Sequence, residues 1–314
     1  MKLRKNNLMK QFSSSRRNEI LLLYVLMLPG LIYFILFRII PLLGTFVAFK
    51  DVAPFQGLEA MITAPWVGFK HFQKFISSHF FWNILGNTFI LAGLRMLFEF
   101  GLPIVLALSI NEVMNVYFKK TVQTISYMPY FISNVVLAGM VFNLLSLHGG
   151  LVPEIVRFFG GQPEYYIGKA STFRTVLVTA IVWKNIGWGS IIYLAALSGI
   201  DPQLYEAAEL DGASLWHRTI HITLPGISFA IAIMFLLRIS VVLNQGYEET
   251  LLLYSPPVYK VADIIDTYVF RIGLQQLNYS FAAAVGLFKS FLALGLVWGA
   301  NWTTKKLGQE SLYS

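Results

Sequence analysis

Cysteine is absent from this chain of 314 residues. That excludes disulfides, zinc–thiolate sites, iron–sulfur clusters and a lipoprotein anchor, and it leaves no redox signature. Charge is also scarce. Asp, Glu, Lys and Arg supply 13% of the residues, against about 25% in an ordinary soluble domain. Together with 56% hydrophobic residues and a mean hydropathy of +0.62, this excludes a soluble enzyme and a disordered chain. The phosphate-cradling pattern G-x-x-x-x-G-K-[ST] is missing, so the chain cannot hold nucleotide phosphates in that way. Acidic residues number 16 against 24 basic, a net charge of +8. On a soluble protein such a balance would suggest nucleic acid. Here six of the basic residues fall within the first seventeen positions, which favours a topogenic role and no nucleic-acid partner.

Long apolar runs are present instead. A bilayer core about 30 Å thick needs roughly 20 apolar residues in helical form. Six blocks qualify: Ile20 to Leu43, Ile84 to Ile110, Thr121 to Leu147, Phe173 to Leu197, Pro225 to Leu243 and Tyr279 to Trp302. The first follows Lys2, Arg4, Lys5, Lys10, Arg16 and Arg17, as in a signal peptide. It is too long for a signal peptide's apolar region, however, and no small-x-small cleavage site follows it, so it reads as an uncleaved span. With the N-terminus inside, the inner segments hold those six residues, Lys119, Lys120, Arg218, Lys305 and Lys306. The outer loops hold Lys50, Lys70, Lys74, Arg157, Lys169, Lys260 and Arg271. The inner excess predicts an all-α integral membrane protein with six transmembrane helices, both termini inside.

Two outer loops carry helical patterns. Phe69, Phe72, Phe75 and Ile76 recur at helical spacing among Lys70, Gln73 and Lys74, which predicts an amphipathic helix lying on the outer interface. The loop from Asn244 to Asn278 is broken by Ser255-Pro256-Pro257, and Asp263 to Val269 restarts an amphipathic helix. No internal repeat or second soluble domain is visible.

The inner loop between the fourth and fifth blocks differs from the rest. Asp201 is a helix N-cap and Pro202 sits at the first helical position. Glu206, Ala207 and Ala208 favour helix, and Gly212 allows the left-handed residue that ends one. A second short helix is predicted from about Ala213 to Ile220, with Pro225 opening the next span. Asp201, Glu206, Glu209 and Asp211 make this loop acidic, against the positive-inside bias. That suggests a protein partner.

At these residues the chain resembles the permease subunits of binding-protein-dependent ABC importers. Glu206-Ala207-Ala208, Gly212 and Ile222-x-Leu224-Pro225 match that family's E-A-A-x-x-x-G, nine residues, I-x-L-P signature. Val67 to Phe72, Phe81 to Thr88 and Ser126-Tyr127-Met128-Pro129-Tyr130 look like carbohydrate-uptake permeases. Asp263 to Tyr268, Ala284 to Ser290 and Lys306-Leu307-Gly308 look like the branch that handles oligosaccharides and polysaccharides, to which an alginate importer's permease belongs. The resemblance implies a type I ABC importer permease, a translocation subunit rather than an enzyme, in the bacterial cytoplasmic membrane. Residues 1–18 would form a basic cytoplasmic segment, 19–43 the first transmembrane helix, and 44–83 the outer loop. Residues 84–302 would form the five-helix permease core with its coupling loop at 198–224, and 303–314 a cytoplasmic tail. Glu206, Ala207, Ala208, Asp211 and Gly212 would dock into a dimer of ATP-binding subunits, where ATP and Mg are used; this chain would bind no cofactor itself. The other implied partners are a second homologous permease, an extracytoplasmic solute-binding protein and a saccharide.

Charged residues inside apolar blocks are costly and are usually paired or functional. Arg95 and Glu99 stand one turn apart and can neutralise each other. Lys184 has no partner in its own helix and sits in Trp183-Lys184-Asn185-Ile186-Gly187-Trp188. Indole faces stack on sugar C–H surfaces, and Asn and Lys bond hydroxyls or carboxylates. Trp183, Lys184, Asn185 and Trp188 are therefore candidates for the substrate path, with Asn134 and Asn143 beside them; the alternative is interhelical packing. Arg38, Arg174, Arg238 and Lys289 read as snorkelling or pairing between helices. His217 and His221 share a helical face, but the H-E-x-x-H metal pattern is not met, which leaves packing or partner contact. Gly295 and Gly299 form a G-x-x-x-G pair that would serve helix packing or arise by chance.

Two other function classes would leave their own signatures. A self-contained ion-coupled secondary transporter would show inverted repeats, and an intramembrane enzyme would need paired carboxylates or a histidine–metal cluster. Neither pattern is visible.

Overall fold

The computed structural model describes residues 2–53, 58–244 and 246–306. Among them every regular element is helical. Four helices are long and apolar enough to cross a bilayer: the run Asn18–Phe49 (α1, whose helix begins at Lys2), Phe81–Asn111 (α3), Ala170–Leu197 (α7) and Tyr279–Trp302 (α13). Two bent pairs pass the same test: Val116–Phe131 with Asn134–Leu145 (α4 and α5), and Leu215–Gly226 with Ser228–Val241 (α9 and α10). Shorter helices are α2 (Lys70–Ile76), α6 (Leu151–Phe158), α8 (Pro202–Leu210), α11 (Tyr247–Leu253) and α12 (Ile265–Phe270). Residues 307–314 of the expected tail, including Leu307 and Gly308 of the C-terminal motif, lie outside the described residues.

Prolines shape these helices. Three carry a widened π turn just ahead of one: Ile35–Ile39 before Pro41, Met96–Phe100 before Pro103 and Thr219–Thr223 before Pro225. Proline cannot donate to the carbonyl one turn back and its ring crowds that carbonyl, and a wider turn relieves both problems. The third apolar block is not the single straight helix expected. It bends by 102° between Phe131 and Asn134. Pro129 ends α4 in a tight turn, and the Ser133 hydroxyl accepts from the Val136 N–H at 3.3 Å to start α5 afresh. The fifth block also differs. Pro225 lies inside α9 rather than opening the span, and the 62° bend falls at Ile227.

The core forms where α3, α7 and α13 meet the segment from Tyr247 to Gln275. Phe173, Leu177 and Ile181 of α7 pack with Leu253, Val258 and Ile264, so the expected outer loop is folded into the protein. Arg174 ties it down, donating to the Val261 carbonyl (3.0 Å) and to Asn87 Oδ1 (2.6 Å), while Asn87 donates to the Lys260 and Asp263 carbonyls. Asp263 takes Arg271, whose guanidinium lies over the Tyr259 and Tyr268 rings. Asp266 pairs with Lys289 of α13 at 2.5 Å. Burial raises the Asp266 pKa, and the Lys289 charge opposes that rise.

Helix α2 departs from the purely interfacial expectation. Phe69 and Ile76 are exposed, but Phe75 is fully buried among Phe81, Tyr268, Phe281 and Phe288. Helix α1 stands apart: its apolar side chains from Ile20 to Leu43 are exposed, and its end, Thr45–Phe49, packs on α13. Among the described residues no atom approaches the Cβ positions of Gly295 and Gly299 within 4 Å, so no packing contact of that pair is seen there.

Candidate functional site: an exposed helical loop and a charged chamber

The loop after α7 is built from local signals. The Asp201 carboxylate accepts from the Gln203 N–H at 3.0 Å, and Pro202 opens α8. At the far end Gly212 adopts φ +73°. Its N–H donates to the Glu209 carbonyl (3.0 Å) and the Ala213 N–H to the Ala208 carbonyl (2.9 Å), the paired bonds of a Schellman stop. Ser214 then caps α9 through the His217 N–H. Tyr205 donates to the Thr223 hydroxyl at 3.1 Å, and Arg218 stands 3.7 Å from Glu209. The two helices are thus fastened to each other.

This unit is solvent-facing. No residue of α8 is buried, and Glu206, Ala207, Asp211 and Gly212 are exposed while Ala208 is half-buried. Leu210 is 90% exposed and Trp216 74%. Large apolar groups held in fixed positions on a surface mark a contact site for another protein. His217 and His221 stack at 4.0 Å, and His221 Nδ1 lies 3.0 Å from the His217 carbonyl oxygen.

The second site is a cavity of about 490 Å³ between the long helices. Its wall includes Arg95 and Glu99 of α3, Tyr130 of α4, Asn185 and Trp188 of α7, and Arg238 of α10. Glu99 is its hub. Oε2 accepts from Arg95 Nε at 3.0 Å and also meets Arg238 Nη2, while Oε1 accepts from Asn185 Nδ2 at 2.9 Å. Both Arg95 and Glu99 side chains are more than nine-tenths buried. The i,i+4 pair expected within α3 therefore exists, but it is shared with two further helices. Trp188 lies flat on Tyr130, with centroids 4.4 Å apart and planes 4° from parallel, and Phe131 meets its edge.

The expected path residues divide. Asn185 and Trp188 line the chamber. Lys184 donates to Asn134 Oδ1, and Asn134 Nδ2 donates to Glu248 at 2.6 Å, a polar chain joining α7, α5 and α11. Trp183 faces a separate, apolar cavity of about 370 Å³ beside Leu137 and Met140. Asn143 is exposed on α5 and is not on the chamber wall. Sequence reasoning did not select Tyr130, Arg238, Gly246 or Glu249 for the wall; the one available signal was Arg238, a charge inside an apolar block opposite Glu99.

Residues 99–308 match the family model described as binding-protein-dependent transport system inner membrane component. The chain belongs to this family. The permease is 41% identical over 309 residues to the polygalacturonan/rhamnogalacturonan transport system permease protein YteP of Bacillus subtilis (strain 168), covering 96% of this chain and 95% of the relative. It is similar to a chain in the crystal structure of a bacterial ABC transporter involved in the import of the acidic polysaccharide alginate, with 39% identity, a TM-score of 0.86 and coverage of 95% and 99%. A chain in the alginate transporter complexed with alginate pentasaccharide-bound periplasmic protein gives 38% identity and a TM-score of 0.87, with the same coverage. As in these relatives, this chain is the permease subunit of an importer, not an enzyme.

Proposed function

We propose that this permease carries an acidic oligo- or polysaccharide across the bacterial cytoplasmic membrane. It takes the saccharide from an extracytoplasmic solute-binding protein and is driven by a separate dimer of ATP-binding subunits. The likeness to polygalacturonan/rhamnogalacturonan and alginate permeases over nearly the full chain supports the substrate class. A six-span arrangement with both termini inside counts each bent pair as one span and agrees with the basic-residue tally. It places α8 and α9 at the cytoplasmic face. There Glu206, Ala207, Ala208, Asp211 and Gly212 present the coupling helix to the ATPase, which holds the ATP and Mg.

The observation that carries this reading is the exposed, doubly capped α8–Gly212–α9 unit. A rigid helix with no buried face of its own is suited to transmit a push from a partner. The exposed apolar length of α1 suits lipid and a second homologous permease. The substrate path is assigned to the chamber, with Asn185 and Trp188 retained from the sequence candidates. Lys184 and Asn134 act beside it as a brace, and Trp183 and Asn143 lie off it.

The test is reconstitution of this chain with a second permease, ATPase and binding protein in proteoliposomes. Uptake of oligogalacturonate that requires both ATP and this chain supports the reading. Uptake driven by an ion gradient without the ATPase overturns it.

A further inference from the structure

We infer that the chamber contains a carboxylate subsite, in which Arg95 and Arg238 receive the acid group of a uronate residue while Tyr130 and Trp188 carry its ring. This rests on the saccharide reading above and adds to it a charge-reading element inside the membrane.

Two arginines share a single carboxylate in the Glu99 cluster. Glu99 is engaged at both oxygens: Oε2 serves Arg95 and Arg238, and Oε1 serves Asn185. The three charged groups together carry one excess positive charge. Arg95 Nη1 is buried and makes no hydrogen bond among the described residues, in a side chain only 7% exposed. An unused guanidinium donor costs free energy when nothing occupies it, and a planar donor fork fits a carboxylate. The nitrogen packs against Gly246, and Arg95 and Gly246 both border the cavity.

The rest of the wall suits a sugar acid. Tyr130 and Trp188 are both partly exposed and stacked on each other, so they form a rigid apolar shelf for a pyranose C–H face. Glu249 lines the same cavity and makes no ion pair among the described residues. It brings the four charged groups of the wall to zero net charge, so the excess positive charge is confined to the Glu99 cluster, and its carboxylate can accept from sugar hydroxyls. A neutral sugar would use the shelf and Glu249 but leave Arg95 Nη1 unmatched. A uronate would use all three.

The charge count makes the inference testable as a series in the reconstituted importer. Arg95→Gln lowers the cluster charge to zero, Glu99→Gln raises it to two, and the double variant returns it to one. The readout is uptake of trigalacturonate relative to its carboxyl-reduced neutral counterpart, with the same binding protein throughout so that its own preference cancels between variants. Arg95→Gln should lower the acid-to-neutral ratio about tenfold, as expected for one charge-assisted contact in a low-dielectric site. Glu99→Gln should raise the ratio, and the double variant should recover most of the Arg95→Gln loss. A ratio that stays constant while neutral uptake persists overturns the subsite and leaves the import reading standing. Should a variant fail to assemble, Tyr130→Leu provides a second arm: it should lower uptake of both saccharides together, and an unchanged rate for both overturns the shelf. Absence of ATP-dependent uptake of either saccharide by the unaltered importer overturns the import reading itself.

Discussion

Arg95 Nη1 occupies the space where a side chain on Gly246 would begin: a β-carbon built there falls 1.5 Å from that nitrogen. Gly246 also holds φ +85°, a conformation that costs an L-residue about 1–2 kcal/mol. Two independent constraints therefore meet at one glycine. Gly246→Ala should displace the Arg95 guanidinium, disturb its pairing with Glu99 and lower the thermal unfolding midpoint of the detergent-solubilised permease by several degrees. Gly286→Ala is the control, because no atom lies within 4 Å of its β-carbon position. Equal midpoints for the two variants would show that Arg95 has ample room to move.

Gly212 presents a different case. Nothing approaches its β-carbon position within 4 Å, yet φ is +73°. The constraint is the backbone, not space. Gly212→Val should cost about 1–2 kcal/mol locally and turn α8 relative to α9, so the ATPase rate stimulated by binding protein should fall several-fold in the reconstituted complex. Gly212→Asn should retain most of that rate, since Asn tolerates the left-handed region. Equal loss in both variants would point to contact with the partner instead of backbone conformation.

These two glycines show why one site was legible in the sequence and the other only in part. The caps and the stop that shape the α8–α9 unit are local: Asp201 with Gln203, Gly212 with Glu209 and Ser214 with His217. The chamber is assembled from five helices, α3, α4, α7, α10 and α11. The stretch from Trp183 to Trp188 read as one surface, but a helix turns by about 100° per residue. Asn185 and Trp188, three apart, share a face; Trp183 is carried to the opposite side and Lys184 to α5. Ser133 and Pro129 held the signal for the bend in the third block, but a continuous apolar run masked it. The long segment after Asn244 was polar enough to pass for a surface loop. Leu253, Val258, Ile264 and Ile265 nonetheless lie in the core.

Membrane sidedness is open to direct test, because the chain has no native cysteine. Lys50 is a poor labelling position: it is buried, with Nζ donating to the Met61 and Ile62 carbonyls. Lys70, Lys120 and Lys260 are exposed. Single cysteines at Lys70 and Lys260 should react with an impermeant maleimide from outside intact cells. A cysteine at Lys120 should react only after permeabilisation. Labelling of Lys70 and Lys120 from the same side would overturn the arrangement with both termini inside.

Lys184 and Trp188 should separate bracing from transport. Lys184 reaches Glu248 only through Asn134. Lys184→Met should therefore loosen α5 against α7 and lower the thermal midpoint, with acidic and neutral saccharides affected alike. Trp188 stacks on Tyr130 and borders the chamber, and its other face is partly open. Trp188→Ala removes one layer of the shelf, and loss of such a stacking contact is worth about 0.5–1.5 kcal/mol beyond the area lost. Uptake should fall roughly five- to tenfold for both saccharides, with the unfolding midpoint less affected than in Lys184→Met. Trp188→Phe keeps a flat face and should recover most of the rate. If Lys184→Met changes the ratio of acidic to neutral uptake while Trp188→Ala transports normally, the saccharide passes along the α5 side of α7, and the path lies with Lys184 and Asn134 after all.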